Sequence, residues 1–385
     1  MSQERPTARP EAQGEAPPGV RPLAERLRER AARAGGITFR DWMEAALYDE
    51  HEGYYRRRDR ARWGRAGDYR TSPERSPLFA ATFARHFASL FEELGRPPTL
   101  HLFEVGGGAG HFAGGVLRTL ARDAPGVFAA LRYVFDEASE DARERAARLL
   151  APFSARVEYR RAADFDPPPQ ASIVFSNELL DALPVHRVRL SGGRLVELFV
   201  GAGVSGGFEW VEREPSTPRL AEHFARAGVT LAEGQTAEVC LDADEWVARA
   251  ARLVRRGFVV TVDYGAEGPE LYGAPHRRGG TLRAFRGHAF ADDLLANPGE
   301  QDLTATVNWT QVREAGERAG LRTVLLERQD AFLLRAGLLE QLELESAALR
   351  SDAGVMELRL GAREMILPGG MASHFQVLVQ EGGDN

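Results

Sequence analysis

The chain has 385 residues, of which 43% are hydrophobic and 27% charged, the balance of a folded globular protein of one large domain or two ordinary ones. Its net charge of −7 speaks against a general nucleic-acid binder, which needs a basic surface. The single cysteine, Cys240, excludes an intramolecular disulfide and any multi-cysteine metal site, and the absence of lysine excludes a Walker lysine, a Schiff base and a lysine general base.

Residues 1–22 are rich in Pro, Glu, Arg and Gln and lack the apolar core of a signal peptide. They read as a disordered tail on a cytoplasmic protein, and the exclusive use of arginine points to a GC-rich bacterial coding sequence. No apolar run reaches membrane-spanning length. Residues 23–97 read as a helical region. In it Thr38 can cap a helix with Phe39, Trp42, Met43, Ala46 and Leu47 on one side. The Gly/Arg-rich stretch 53–77 reads as a loop, and its run of arginines as a solvated surface. Leu78, Phe79, Phe83, Phe87, Leu90 and Phe91 then mark a second amphipathic helix, with the spacing of core residues.

The stretch 98–184 alternates strand and helix: strands at 100–105, 131–135, 156–159 and 171–175, helices at 112–120 and 141–150. Such alternation means right-handed crossovers and a parallel sheet. The rhythm breaks after Pro184, and 185–235 reads as a β-rich insertion with a hairpin at 185–214. The α/β pattern resumes in 236–385. It has a helix at 242–253, a strand at 257–262 with Asp263-Tyr264-Gly265 just past its end, and a loop-rich stretch to 298. A helix at 309–319, a strand at 323–326, a helix at 336–350 and a last strand at 375–379 follow. There is no internal repeat.

The first strand runs into Glu104-Val105-Gly106-Gly107-Gly108-Ala109-Gly110. Glycines let the backbone turn sharply and let a ligand approach closely. A dinucleotide site favours G-x-G-x-x-G, with a pyrophosphate on a helix N-terminus. Here the third glycine comes one position early, and Glu104 would repel phosphates while suiting an α-amino group. The next strand ends in Asp136-Glu137, where a carboxylate can accept both ribose hydroxyls. An acid, three glycines (Gly106, Gly108, Gly110) and a second acid fit S-adenosylmethionine, which has no phosphate to cradle. A plain structural turn is the alternative for the loop taken alone.

The strand at 171–175 leads into Ser176-Asn177-Glu178-Leu179-Leu180-Asp181-Ala182-Leu183-Pro184. Ligands in open α/β sheets bind beyond the carboxyl ends of the strands. An amide, two carboxylates and a turn proline are therefore expected where chemistry occurs. Glu178 and Asp181, three apart in a turn or helical start, can share one pocket; the structural alternative is that they cap a helix N-terminus. Nothing in the sequence has the pattern of a metal cluster or a Ser-His-Asp nucleophile.

Six blocks in one order resemble the MidA-like methyltransferases, over about residues 39–379. They are Gly64-Arg65-Ala66-Gly67-Asp68-Tyr69-Arg70-Thr71-Ser72-Pro73-Glu74, the loop 104–110, Asn177 to Pro184, Asp263-Tyr264-Gly265, Arg278-Gly279-Gly280-Thr281-Leu282-Arg283 with His288 beyond it, and Pro298-Gly299-Glu300-Gln301-Asp302-Leu303-Thr304. Gly107 departs from the family's usual proline, and 135–139 from its V-E-x-S. The resemblance implies a class I methyltransferase fold: a Rossmann-like parallel sheet with an antiparallel edge strand, an N-terminal helical region and a β-hairpin insertion. It also implies S-adenosylmethionine as cofactor, held by Glu104, Gly106, Gly108, Gly110, Asp136, Glu137 and, on the adenine side, Asp164. Gly67 and Thr71 would join from an N-terminal lid that also carries Asp68 and Glu74. Glu178, Asp181 and Asn177 would be catalytic.

The implied acceptor is an arginine of a partner protein, with a respiratory complex I subunit as the family's example. No nucleic-acid partner is expected, and a homodimer is left open. Competing readings are a cofactor-binding assembly chaperone with little turnover and a methyltransferase acting on a small molecule. A nucleotide-dependent oxidoreductase is disfavoured by the loop spacing and Glu104.

Overall fold

The computed structural model describes residues 21–57, 76–204, 206–286, 289–367 and 374–383. The 1–20 stretch, the block 58–75 with Gly67, Asp68, Thr71 and Glu74, and His288 lie outside the described residues.

An eight-stranded sheet positions the site. Its main strands are β2 (Leu100–Val105), β3 (Leu131–Asp136), β4 (Val157–Tyr159), β5 (Ser172–Asn177), β10 (Gly257–Ala266), β15 (Arg322–Arg328) and β16 (Phe375–Gly382). They lie in the order β15-β16-β10-β5-β2-β3-β4, and the short β14 (Val307–Asn308) pairs with the end of β10. β4, β3, β2, β5 and β10 run parallel, and β16 lies antiparallel between β10 and β15. The antiparallel strand is therefore next to the edge, with β15 outside it. The direction of winding reverses between β2 and β5, which is where such sheets open a ligand crevice.

One face of the sheet is covered by α3 (Pro77–Glu93), α4 (His111–Asp123) and α6 (Glu140–Leu149). Ser76 starts α3 by accepting the Leu78 N–H at 3.3 Å, and Pro77 fills the first turn. Phe79, Phe83 and Phe87 recur every four residues, so all three face the core, and Phe83 and Phe87 touch Phe175 of β5. Phe175 of β5 stacks on Phe112 of α4, with ring centroids 4.3 Å apart and planes 9° apart. The other face packs against α8 (Leu241–Leu253) and α10 (Trp309–Arg318). β5 and β10 are buried on both faces, which is why they read as unbroken apolar runs.

A second, antiparallel sheet joins β1 (Ile37–Thr38), β6 (His186–Ser191), β7 (Arg194–Ala202), β8 (Phe208–Arg213) and β9 (Thr236–Val239). The 185–214 stretch is more than a hairpin: Ile37 pairs with Val200 and His186 with Val239, so it links the N-terminal helices to the second half of the chain. The helices α1 (Leu23–Ala34) and α2 (Phe39–Tyr48) share a core with it. Thr38 does cap α2, accepting the Asp41 N–H at 3.1 Å.

Several elements differ from expectation. β10 continues to Ala266, because Gly265 and Ala266 pair with β14, so Asp263-Tyr264-Gly265 lies inside the strand. The loop-rich stretch holds a third small sheet of β11 (Arg283–Arg286), β12 (Ala289–Ala291) and β13 (Asp302–Thr304). The helix expected at 336–350 is α12 (Leu338–Ala348), which starts after Gly337 at φ 98°, and α11 (Gln329–Arg335) before it was not expected. The helices α7 (Arg219–Ala227) and α13 (Asp352–Ile366) had no counterpart in the sequence reading. Among the described residues no helix is long and apolar enough to cross a membrane.

The stacked Phe175 ring is fully buried and touches Phe83, Phe87 and Phe112. We predict that Phe175→Ala costs about 3–5 kcal/mol, the range for a deleted core phenylalanine. Urea unfolding of both proteins checks this; a loss below about 1 kcal/mol would show that the ring is not a keystone of the sheet.

Candidate functional site

A cavity of about 1230 Å³ opens at the carboxyl ends of β2, β3, β5 and β10. Its first wall is the loop after β2. The Gly106 N–H donates to the Asp136 carbonyl at 2.8 Å, which turns the chain out of the sheet at φ 76°. A side chain at Gly106 would press on Leu179, and one at Gly107 would overlap the Phe135 ring. The Gly108 N–H donates to Glu137 Oε2 at 2.8 Å, and the Ser139 N–H to Glu137 Oε1 at 2.7 Å. Glu137 thus holds the glycine loop while lining the cavity. Gly110 is the residue from which α4 starts.

Asp136 also lines the cavity and accepts the Ala162 N–H at 2.8 Å on one oxygen. Burial raises its carboxyl above the ordinary range, opposed by that N–H and by Arg161. Asp136 keeps lone pairs for a ligand. Glu104 sits deeper, 4% exposed, and accepts the Tyr133 hydroxyl at 2.8 Å. Burial pushes its carboxyl up to about 8; the Tyr133 hydrogen bond opposes this and the charge of Glu137 adds to it. Asp164 is exposed and does not reach the cavity; its neighbours Ala162, Ala163 and Phe165 do.

The second wall is the turn after β5. No helix begins there: the next element is β6, so Glu178 and Asp181 have no helix N-terminus to cap. Instead a buried carboxylate organises the turn. Asp263 Oδ2 accepts the N–H groups of Leu180 at 2.9 Å and Asp181 at 3.3 Å, and Oδ1 accepts that of Tyr264 at 2.8 Å. Burial, with the charges of Asp181 and Glu178, raises the Asp263 carboxyl well above its ordinary range. The Glu178 N–H donates to the Val262 carbonyl at 3.0 Å, and Glu178 takes φ 51°, a left-handed conformation rare for a side chain of this size.

The side chains of Asn177, Glu178 and Asp181 share the cavity. Asn177 Nδ2 donates to Glu178 Oε1 at 3.1 Å. Asn177 Oδ1 and Asp181 Oδ1 are buried and have no hydrogen-bond partner among the described residues. Burial raises the Asp181 carboxyl to about 6, opposed by the Tyr264 hydroxyl and by Arg283. A buried acceptor without a donor costs free energy until a ligand supplies one. Two such oxygens on one wall call for a ligand rich in N–H groups.

Other residues at this end had no role in the sequence reading. Tyr48 donates its hydroxyl to the Ala182 carbonyl at 2.9 Å, and Tyr55 to Asp302 Oδ1 at 2.7 Å. Their rings stack 5.5 Å apart, so α2 and the loop after it close the cavity from above the turn. The Arg283 guanidinium lies 5.6 Å from the Tyr264 ring centre. Arg283 and Asp302 stood in two of the matched blocks, but nothing in their spacing assigned them to the pocket. Tyr48, Tyr55 and Trp246 gave no sequence signal beyond that of core aromatics.

Residues 82–326 match the model of a family described as "Putative S-adenosyl-L-methionine-dependent methyltransferase". A crystal structure from Burkholderia thailandensis, bound to S-adenosyl-homocysteine, superposes with a TM-score of 0.82 at 31% identity, over 93% of this chain and 91% of that one. The chain belongs to the MidA-like S-adenosylmethionine-dependent methyltransferases. It is also 29% identical over 343 residues to the Drosophila melanogaster homolog of the mitochondrial protein arginine methyltransferase NDUFAF7, covering 82% of this chain and 75% of that protein. The Mus musculus protein of that name is 28% identical over 347 residues, covering 83% and 75%. S-adenosylmethionine is accordingly the cofactor of this methyltransferase. The glycine loop and the acids that flank it line the cavity with hydrogen-bonding groups.

Asp181 also gives a stability prediction. Its carboxyl rises from 3.8 to about 6 on folding. The stabilising contribution of the protonated form is fully present below about pH 3.8 and is lost as pH rises through 6. Asp181→Asn is therefore expected to melt higher than the wild type at pH 7.5, with a smaller gap at pH 5. A gap that stays constant between these pH values would show that Asp181 is not destabilised by burial.

Proposed function

We propose that this methyltransferase modifies a guanidinium nitrogen of an arginine on a partner protein. The observation that carries the reading is the turn after β5, where Asn177, Glu178 and Asp181 face one cavity and two of their buried oxygens have no donor among the described residues. An arginine side chain brings five N–H donors in a planar fork and a permanent positive charge. That matches a carboxylate-lined pocket better than a neutral acceptor would. The names of the Drosophila and mouse relatives support the same reading. A respiratory complex I subunit is the first acceptor to test, on the strength of the family resemblance.

S-adenosylmethionine, when bound, supplies a methyl group already activated on a sulfonium. The remaining task is alignment, which positioned groups perform by removing rotational freedom. Glu104 is assigned to the cofactor's amino group, and Asp136 and Glu137 to its ribose, with Gly106, Gly108 and Gly110 shaping the loop that admits it. Glu178 and Asp181 fix the plane of the acceptor guanidinium by charge-assisted hydrogen bonds and draw its charge toward the nitrogens they hold. Asn177 positions Glu178 through its Nδ2 and offers its free oxygen to a donor. Ionised Asp181 is the form that holds the guanidinium, so the reaction needs the pH to exceed the Asp181 titration near 6.

Two measurements test the assignments. With the unmethylated partner protein as substrate, Asp181→Asn and Glu178→Gln are expected to lower kcat by about 10²-fold, as loss of one preorganised electrostatic contact does. The wild-type rate should fall below about pH 6, and Asp181→Asn should lose that acidic limb. A variant that keeps full rate removes its residue from the mechanism. For the cofactor, Glu104 near pKa 8 is mostly protonated at pH 7, and pairing with an ammonium favours its charged form. Binding of S-adenosylmethionine at pH 7 should therefore release up to about one proton, read by calorimetry in buffers of different ionisation enthalpy. Glu104→Gln should abolish the release; an unchanged release assigns the proton elsewhere.

A further inference from the structure

The connection from β4 to β5 contains no α-helix. Residues 160–171 make only the short 3-10 turn Ala162–Asp164 before re-entering the sheet. A doubly wound sheet ordinarily carries a crossover helix on this part of its face. Here Ala162 and Phe165 cover that face, and the cavity continues between them and α8. Asn177 and Val174 of β5 both line it, and so does Leu253, whose carbonyl accepts the Ser172 hydroxyl at 2.7 Å. The cleft thus follows β5 from Asn177 back to Val174, about 10 Å at the rise of a strand.

The chemistry of this extension differs from that of the methyl-transfer end. Its floor is apolar: Phe165 and Val174 on one side, and Trp246, Ala250 and Leu253 on the other. The last three recur at the spacing of one face of α8. Its rim is cationic. Arg249 and Arg252, both exposed, line the cleft from α8 and make no hydrogen bond or ion pair among the described residues. Arg161 lines it from the loop opposite, close enough for its charge to act on Asp136. Asp166 lines the same cavity and offsets one of these charges.

We propose that this cleft is a second ligand site, for a single-chain amphiphile with an anionic head. The aliphatic tail lies along the sheet face between Phe165 and Trp246, and the head is held by Arg249 and Arg252. A peptide in the same place would bury backbone N–H and C=O groups against side chains that cannot pair with them. An aliphatic chain has no such groups to satisfy. A compact anion would reach the arginines but leave the floor empty. The inference does not depend on the identity of the methyl acceptor.

The test is calorimetric titration of the full chain with dodecanoate, kept below its micelle-forming concentration. Saturable one-to-one binding is expected, and dodecyltrimethylammonium should bind at least about tenfold more weakly, because the head-group charge is reversed. The double variant Arg249→Glu/Arg252→Glu should weaken dodecanoate binding by at least about tenfold, with thermal melting to report its fold. No saturable binding of dodecanoate overturns the proposal, and so does equal binding of the two head groups or an unaffected, folded double variant. The head-group comparison on the wild type decides the matter by itself where the double variant does not fold. Dodecanoate binding without transfer to a protein arginine would sink the acceptor reading and leave this site standing.

Discussion

The Asp263 carboxylate is the constraint on which the site depends. It sits fully buried near the end of β10 and accepts three backbone N–H groups, two of them from the turn after β5. A turn that follows a parallel strand without entering a helix leaves its N–H groups without partners. Asp263 supplies the partners, and so fixes the heights of Leu180 and Asp181 relative to β10. The adjoining residue Tyr264 puts its hydroxyl on Asp181. One strand thus holds both the backbone and a side chain of its neighbour. The arrangement concentrates acids, since the charges of Asp181 and Glu178 add to burial in raising the proton affinity of Asp263. A pocket built this way favours a cation and resists being filled by water-excluding side chains.

The second constraint is the approach of the N-terminal region. α2 delivers Tyr48 to the Ala182 carbonyl, and the loop after it delivers Tyr55 to Asp302. β1 anchors that region to β7, and β6 begins immediately after the turn that carries Asp181. The small antiparallel sheet therefore acts as a bracket between the start of the chain and the reactive turn. Its register matters to the site even though none of its strands lines the cavity.

Much of this was legible from the residues. Strand and helix alternation over 98–184 identified the parallel sheet, because buried strands read as apolar runs and covering helices as amphipathic ones. The two acid-bearing loops stood out because each follows such a run. Pairing across distance was not legible. Nothing in 185–214 says that it bonds to residues 37–38, and nothing around 263 says that its carboxylate reaches back to residues 180 and 181. The end of β10 was placed four residues early, since Asp263-Tyr264-Gly265 reads as a turn until its pairing with β14 is known. Asp164 was assigned to the adenine side by its place after β4, but its side chain points to solvent and its neighbours line the cavity. Tyr48, Tyr55 and Trp246 carry the spacing of core aromatics, and only tertiary packing separates a wall of the site from a wall of the core.

The position of β16 bears on the order in which the molecule is assembled. Eight register pairs join it to β10, and it alone connects β10 to β15. During synthesis β10 and its Asp263 are made more than a hundred residues before β16. Throughout that interval β10 has one open edge, and β15 has no sheet to join. Closure of the sheet, and with it full burial of Asp263, waits for residues 375–382. A ribosome-bound chain carrying the glycine loop and the acidic turn would thus hold every side chain proposed for methyl transfer before it held the scaffold that positions them.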